Sequence, residues 1–205
     1  MTKRLFDLCL AILLLPLLLP VMAAVAAMVM ACDGWPVLHA GERMQTCDRG
    51  FLLWKFRTMR PGSADGVATG GDKSGRVTRL GRVLRRTRLD EMPQLFHILS
   101  GRMSFVGPRP PLRRYVELHP EIFAEVLRCR PGVTGLATVR FHAREARLMA
   151  SCRSAAESDR VYRRRCLPAK ARLDRLYSRN RHLGLDLAIL AWTIRAVLPG
   201  RTRGT

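Results

Sequence analysis

A chain of 205 residues with 36 Lys plus Arg against 16 Asp plus Glu carries a formal net charge of +20, and its length suffices for one domain with its own core. With 48% hydrophobic residues it is too apolar for a basic disordered tail, and with 25% charged residues it is not a bundle of membrane spans. The charge implies anionic company: phospholipid headgroups, nucleotides or nucleic acid.

The average hides a split, because from Leu5 to Cys32 the only charge is Asp7 and nearly all the others follow. Three readings compete for this first segment. A cleaved signal peptide would use Lys3 and Arg4 as its basic start and Ala24-Val25-Ala26 as its cleavage site. A spanning helix needs about 20 apolar residues, which the segment supplies. A re-entrant hairpin, breaking near Pro16 and Pro20, would return the chain to the face it entered. The hairpin alone leaves both Lys3 and Arg4 and the Arg-rich remainder on the cytoplasmic side, with Asp7 at the interface.

Beyond it, Trp35 and Trp54 suit headgroup level, and the apolar runs Pro36 to Leu38 and Phe51 to Phe56 read as paired strands. On a strand, Lys55 and Arg57 point the same way and form a basic clamp. Arg60 to Gly75 reads as a surface loop. Within it, Gly66 to Ser74 nearly spells a phosphate-binding loop, but Asp72 stands where the Lys is required and no clear strand precedes it.

Between Arg76 and Arg88, Val77, Leu80 and Leu84 form the apolar stripe of a basic amphipathic helix. Tyr115 to Cys129, Ala143 to Ala156, Pro168 to Asn180 and His182 to Leu198 read as further helices. All but four of the basic residues (Lys3, Lys55, Lys73 and Lys170) are Arg, which suits bidentate grip on phosphate, although a GC-rich genome gives the same bias. The six cysteines lie apart with no C-x-x-C and the five histidines lack zinc-ligand spacing, so reduced thiols in a cytosolic domain are expected.

Chemistry concentrates between Arg85 and Pro111. Asp90 and Glu91 are adjacent acids, with Pro93 soon after, so Asp90 suits a helix N-cap. Arg85, Arg86 and Arg88 would keep both acids ionised and draw phosphates to them. One carboxylate can then attack phosphorus while the other holds Mg²⁺. In Gly107-Pro108-Arg109-Pro110-Pro111 the prolines fix the backbone, leaving Arg109 little entropy to lose on binding an anion.

These stretches, together with Lys3-Arg4-Leu5-Phe6-Asp7, Pro20, Lys55-Phe56-Arg57-Thr58-Met59, Arg76 to Arg82, Leu89-Asp90-Glu91, Met103 to Pro110, Pro131-Gly132-Val133-Thr134-Gly135 and Leu173-Asp174, occur in the order found in a known family. The chain resembles, over nearly its whole length, the bacterial sugar transferases, or monotopic phosphoglycosyl transferases. The resemblance implies a helix-rich α+β fold with short strands: a re-entrant membrane helix-break-helix over 1–33, broken at Pro20, then a cytoplasmic catalytic domain over 34–205. It favours the hairpin among the three readings, and it places the chain on the bacterial inner membrane with its catalytic domain on the cytoplasmic face and an anionic bilayer as its seat.

It further implies transfer of a sugar-1-phosphate from a UDP-sugar to undecaprenyl phosphate, with release of UMP and use of Mg²⁺, as the first step of a membrane-linked glycan. Asp90 would be the nucleophile of a phosphosugar-aspartyl intermediate and Glu91 the Mg²⁺ ligand, with Lys55, Arg57, Arg85 and Arg109 on substrate phosphates. A homodimer and downstream glycosyltransferases are further partners it allows, and no membrane domain beyond the hairpin is expected.

The chain departs from the family pattern at Leu19, Gln45 and Arg102, and over Leu136 to His142, where a phosphate-binding Arg has no aligned match. Arg140, or Arg144, is the expected substitute. The alternative from another class is a non-catalytic basic protein on membrane or nucleic acid. It has no use for an Asp-Glu pair set among arginines, and aromatics, at 6%, are not interleaved with the basic runs as a nucleic-acid platform needs. No nucleic-acid partner is therefore expected.

Overall fold

Helix α1 (Thr2–Asp33) opens the chain in the computed structural model, which describes residues 2–60 and 75–197. The P-loop-like stretch and nearly all of the expected Arg60 to Gly75 loop lie outside the described residues. Pro16 and Pro20 are both inside α1, and helical structure continues past each. This corrects the break expected at Pro20. Each proline removes one donor, but the Leu- and Ala-rich sequence on both sides has strong helix propensity and carries the helix through.

One stripe of α1 packs on the rest of the protein along its whole length. Ala11, Leu15 and Leu18 meet Phe51, Leu53, Leu95, Ile98 and Met103; Met22, Val25 and Val29 meet Phe56 and Leu84. The opposite face, with Leu5, Ile12, Leu13, Leu17 and Met30, is exposed and apolar. By length and composition α1 could cross a membrane. Both of its ends are tied to the same domain. Arg4 donates to the carbonyls of Ile98 and Leu99, and Lys3 Nζ lies 2.6 Å from Asp186 Oδ2. At the other end Thr78 Oγ1 donates to Asp33 Oδ2 at 2.8 Å.

Strands β1 (Leu38–Met44) and β2 (Gly50–Phe56) pair antiparallel, with Leu38 opposite Phe56 and Met44 opposite Gly50. The expected pairing holds, but β1 runs well past Leu38. Its residues His39 to Arg43 show no apolar alternation because that edge faces solvent and cavity rather than core. Helix α2 (Arg79–Thr87) begins at Thr78, whose hydroxyl accepts from the Gly81 amide at 2.8 Å. Its apolar stripe is as expected at Leu80 and Leu84, whereas Val77 precedes the helix and bridges to Met59.

A 3₁₀ turn (Leu89–Gln94) then leads into α3 (Leu95–Leu99) and β3 (Ser104–Val106). Next come α4 (Arg113–Leu118), α5 (Pro120–Val126) and β4 (Gly132–Thr134), which pairs parallel with β3. The helix expected over Tyr115 to Cys129 is thus divided at His119-Pro120, where proline cannot continue the preceding turn. Gly107, Gly132 and Gly135 meet at this crossing: a Cβ on any of them would overlap backbone atoms of the others or of Arg130, so only glycine lets the two strands approach.

The C-terminal layer is α6 (Leu136–Ala150), α7 (Ala155–Val161), a π-helical turn (Tyr162–Cys166), α8 (Leu167–Asn180) and α9 (Leu183–Val197). Helix α6 starts at Leu136 rather than Ala143, and α7 is separate from it. The last two helices stand where the periodicity put them. Tyr177, 1% exposed, donates to Asp186 Oδ1 at 2.6 Å beneath β3 and joins α8 to α9. The fold is helix-rich α+β, and all six cysteines are free.

Candidate active site

The dyad sits where two elements change direction. Helix α2 ends at Arg88, the one non-glycine residue with positive φ among the described residues, at 61°. This left-handed residue starts the 3₁₀ turn. Leu89 and Met92 of the turn pack on the cluster of Phe56 and Leu84, while Asp90 and Glu91, each 7% exposed, line a cavity of about 1300 Å³. Asp90 does not N-cap a helix, which corrects that expectation: it lies inside the 3₁₀ turn, and its buried Oδ1 has no hydrogen-bond partner.

Glu91 is instead fully engaged. Arg109 Nη2 donates to its Oε1 at 2.5 Å, and Arg88 Nη1 lies 3.8 Å from Oε2. Burial opposes its ionisation, but Arg109, Lys55 and Arg88 outweigh burial and hold the carboxyl at about 2. Asp90 moves the other way: burial, and then the charge of Glu91, raise it above the usual carboxylate range despite Lys55, Arg85 and Arg109. Two neighbouring acids therefore differ in proton affinity and in freedom to react.

Lys55, near the end of β2, faces both acids. Burial and the charge of Arg109 bring its ammonium down to about 8. Arg85, in the last turn of α2, is fixed by a 2.8 Å bond from Nε to Thr58 Oγ1. The rigid turn expected around Arg109 is pinned by the glycine crossing and by the Gly132 amide, which donates to the Pro108 carbonyl at 2.9 Å. The sequence thus brings Asp90, Glu91, Lys55, Arg85 and Arg109 together at one place.

Arg57 lines the same cavity, but its guanidinium donates to the carbonyls of Asp33, Gly34 and Trp35, closing the C-terminus of α1. Arg140 does not join them. Arg140 lies over the Trp192 ring, 4.7 Å from its centroid, on the far side of α6. The face of α6 toward the cavity is Thr138, His142, Glu145 and Met149, at helical spacing. Arg144 lies over Phe141 and does not line the cavity either. Residues without an expected role also reach it: Arg43 of β1, brought down to about 10 by burial and by Arg109, then Tyr162, Lys170 and Asp174. Of these Asp174 stood out in the sequence, within the Leu173-Asp174 stretch shared with the family, while the cavity face of α6 becomes legible only once that helix is begun at Leu136.

Among the described residues no three His, Cys, Asp or Glu side chains form a metal cage. Glu91, whose Oε2 has only Arg88 at 3.8 Å among the described residues, supplies a hard oxygen ligand, which fits a Mg²⁺ ion completed by phosphate oxygens from a substrate.

A family model described as bacterial sugar transferase matches residues 1–200. The chain is 35% identical over 202 residues to the UDP-N-acetylgalactosamine-undecaprenyl-phosphate N-acetylgalactosaminephosphotransferase of Aeromonas hydrophila, covering 97% of this chain and 44% of that protein. It is 36% identical over 141 residues to the UDP-glucose:undecaprenyl-phosphate glucose-1-phosphate transferase of Escherichia coli K12, covering 67% of this chain and 30% of that protein. With the uncharacterized sugar transferase EpsL of Bacillus subtilis it shares 35% identity over 196 residues, covering 96% and 87%. The chain therefore spans less than half the length of the first two. A match over nearly every described element, with the dyad and its basic neighbours gathered in one cavity, establishes that this chain belongs to the bacterial sugar transferase family.

Proposed function

We propose that the protein transfers a sugar-1-phosphate from a UDP-sugar to undecaprenyl phosphate. The observation that carries this reading is Asp90 Oδ1, a buried carboxylate oxygen without a donor, set against three cations. A protein that merely binds membrane or nucleic acid gains nothing from that costly arrangement. In the first step Oδ1 attacks the phosphorus that bears the sugar, the bond from that phosphorus to the bridging oxygen breaks, and UMP leaves with the electron pair. In the second, a phosphate oxygen of the lipid attacks the same phosphorus, the acyl phosphate bond breaks, and the Asp90 carboxylate is restored.

The raised proton affinity of Asp90 makes it a stronger nucleophile, while Arg109 fixes Glu91 beside it. Lys55, Arg85 and Arg109 offset charge on the transferring group, acting as preorganised cations on the cavity wall. Glu91 would hold Mg²⁺ together with the donor's phosphates; when bound, the ion supplies further neutralisation of the diphosphate. The cavity exceeds the roughly 300–1,000 Å³ of ordinary small-molecule sites, as a site serving a nucleotide sugar and a lipid phosphate requires.

The seat of the protein belongs to the same proposal. A crossing helix is wrapped by lipid for about 20 residues. Here the stripe from Ala11 to Val29 stays on the domain, both ends of α1 return to it, and Trp35 is 77% exposed beside the C-terminal end. These features, with the bend that proline puts into a continuing helix at Pro16 and Pro20, support a helix that enters and leaves the cytoplasmic face of the inner membrane, with its exposed apolar face in lipid.

The test is UMP release by protein in detergent or lipid discs, given Mg²⁺, undecaprenyl phosphate and a panel of UDP-sugars. Release from at least one donor is expected, falling by at least about 10³-fold in Asp90→Asn. Release from none, by protein that is folded and supplied with lipid, contradicts the proposal.

A further inference from the structure

The cavity continues past the reacting groups. Behind Arg109 its wall is made by α6, the π-helical turn and α8, and four polar side chains there have no part in the chemistry above: Glu145, Tyr162, Lys170 and Asp174. Asp174 is 7% exposed, lines the cavity and makes no hydrogen bond among the described residues. Burial pushes its carboxyl up to about 7. The charge of Lys170 only partly offsets that burial, and a ligand in the cavity that donates to the carboxyl would offset more of it.

Its neighbours are organised. Lys170 Nζ donates to both oxygens of Glu145, at 2.8 and 3.0 Å, and lies 5.3 Å from the centroid of the Tyr162 ring. Tyr162 opens the π-helical turn; such turns are rare and cluster at functional sites, where the extra residue re-aims a side chain. Arg109, which grips Glu91, also feels the charge of Glu145. The cluster is therefore next to the dyad through a single shared arginine.

We infer that Glu145, Tyr162, Lys170 and Asp174 form the subsite for the donor's sugar ring and decide which sugar is accepted. This rests on the reading of the donor as a nucleotide sugar. The phosphorus attacked by Asp90 carries the sugar directly, so the ring lies beside the group that holds the dyad, here Arg109. Carboxylates accept and an ammonium donates, which matches a ring of hydroxyls; a uracil presents an amide edge that needs donors and acceptors in a plane. Tyr162, whose ring packs on Tyr115 and beneath Lys170, contributes its hydroxyl as a further polar group of the subsite.

The experiment measures binding of UDP, UDP-glucose, UDP-galactose, UDP-N-acetylglucosamine and UDP-N-acetylgalactosamine to the full chain in lipid discs with Mg²⁺, beside turnover of the same donors. Glu145→Gln, Asp174→Asn and Tyr162→Phe keep size and shape, and an unchanged circular-dichroism spectrum and thermal midpoint report that each variant is folded. The expected result is a preferred UDP-sugar whose affinity falls about 10- to 100-fold in the two acid variants, or whose rank among the sugars changes, while UDP stays within about threefold. Parallel loss of UDP and UDP-sugar in a folded variant, or no change in any donor, overturns the subsite. Turnover with unchanged sugar preference in all three variants overturns the subsite and leaves the transferase reading intact. Sugar-selective binding lost in the variants, without UMP release by the parent, supports the subsite and overturns the transferase reading. Absence of binding by every donor overturns both.

Discussion

Asp90 and Glu91 show how two adjacent, equally buried acids acquire different work. Glu91 has its charge matched by Arg109 and Arg88; Asp90 has burial and a neighbouring negative charge, with one oxygen left bare. Lys55 completes the balance and carries a pH prediction. Its ammonium is brought down to about 8, so the free protein loses this cation above that pH, and kcat/KM should fall there. Bound phosphates favour the charged form, so the limb in kcat lies higher. In Lys55→Arg the kcat/KM limb near pH 8 should disappear, because a guanidinium stays charged; a limb unchanged in that variant removes Lys55 from the site. Stability has the opposite sign. The folded protein holds fewer protons on Lys55 than the unfolded chain between pH 8 and 10.5, so stability rises with pH through that window. At this scale the gathering of the dyad, Lys55, Arg85 and Arg109 in one cavity was legible in the sequence. Arg140 was misplaced because the direction of a side chain depends on where its helix starts, and an error at that end turns it to another face.

Among the elements, α6 shows the same sensitivity on a larger scale. Begun at Ala143, its pattern hides the cavity face; begun at Leu136, it brings Thr138, His142 and Glu145 into one row. The Gly135 that precedes it is fixed by the β3–β4 crossing, a contact between distant parts of the chain that no local pattern reports. Those two short parallel strands were invisible for that reason, and α1 was read as broken because proline was weighed above the propensity around it. The crossing carries a prediction. In Gly107→Ala the new methyl meets the backbone of Arg130 and Gly132, so β3 and β4 must separate. The expected cost is about 1–3 kcal/mol in stability, read from a denaturant midpoint, with activity lost more steeply because Arg109 is two residues away. Full activity with unchanged stability would show that the crossing does not position Arg109.

The whole molecule joins a long apolar helix to a polar cavity through contacts that a sequence can only suggest. Lys3 reaches Asp186, which accepts from Tyr177 beneath β3, so the start of α1, the last helix and the strand leading to Arg109 share one buried network. At the far end Arg57 and Thr78 hold Asp33 and the adjoining carbonyls, linking α1 to the strand that carries Lys55 and the helix that carries Arg85. On the proposed reading, a lipid phosphate arriving along α1 would thus meet a domain already fixed at both ends of that helix. The central claim remains that Asp90 forms the covalent link, and intact-mass spectrometry tests it most directly. Protein incubated with Mg²⁺ and its UDP-sugar, without undecaprenyl phosphate, should gain one sugar-phosphate group at Asp90. The gain should vanish on adding the lipid phosphate and be absent in Asp90→Asn. An adduct on another residue, or turnover by Asp90→Asn at the parent rate, would contradict the account.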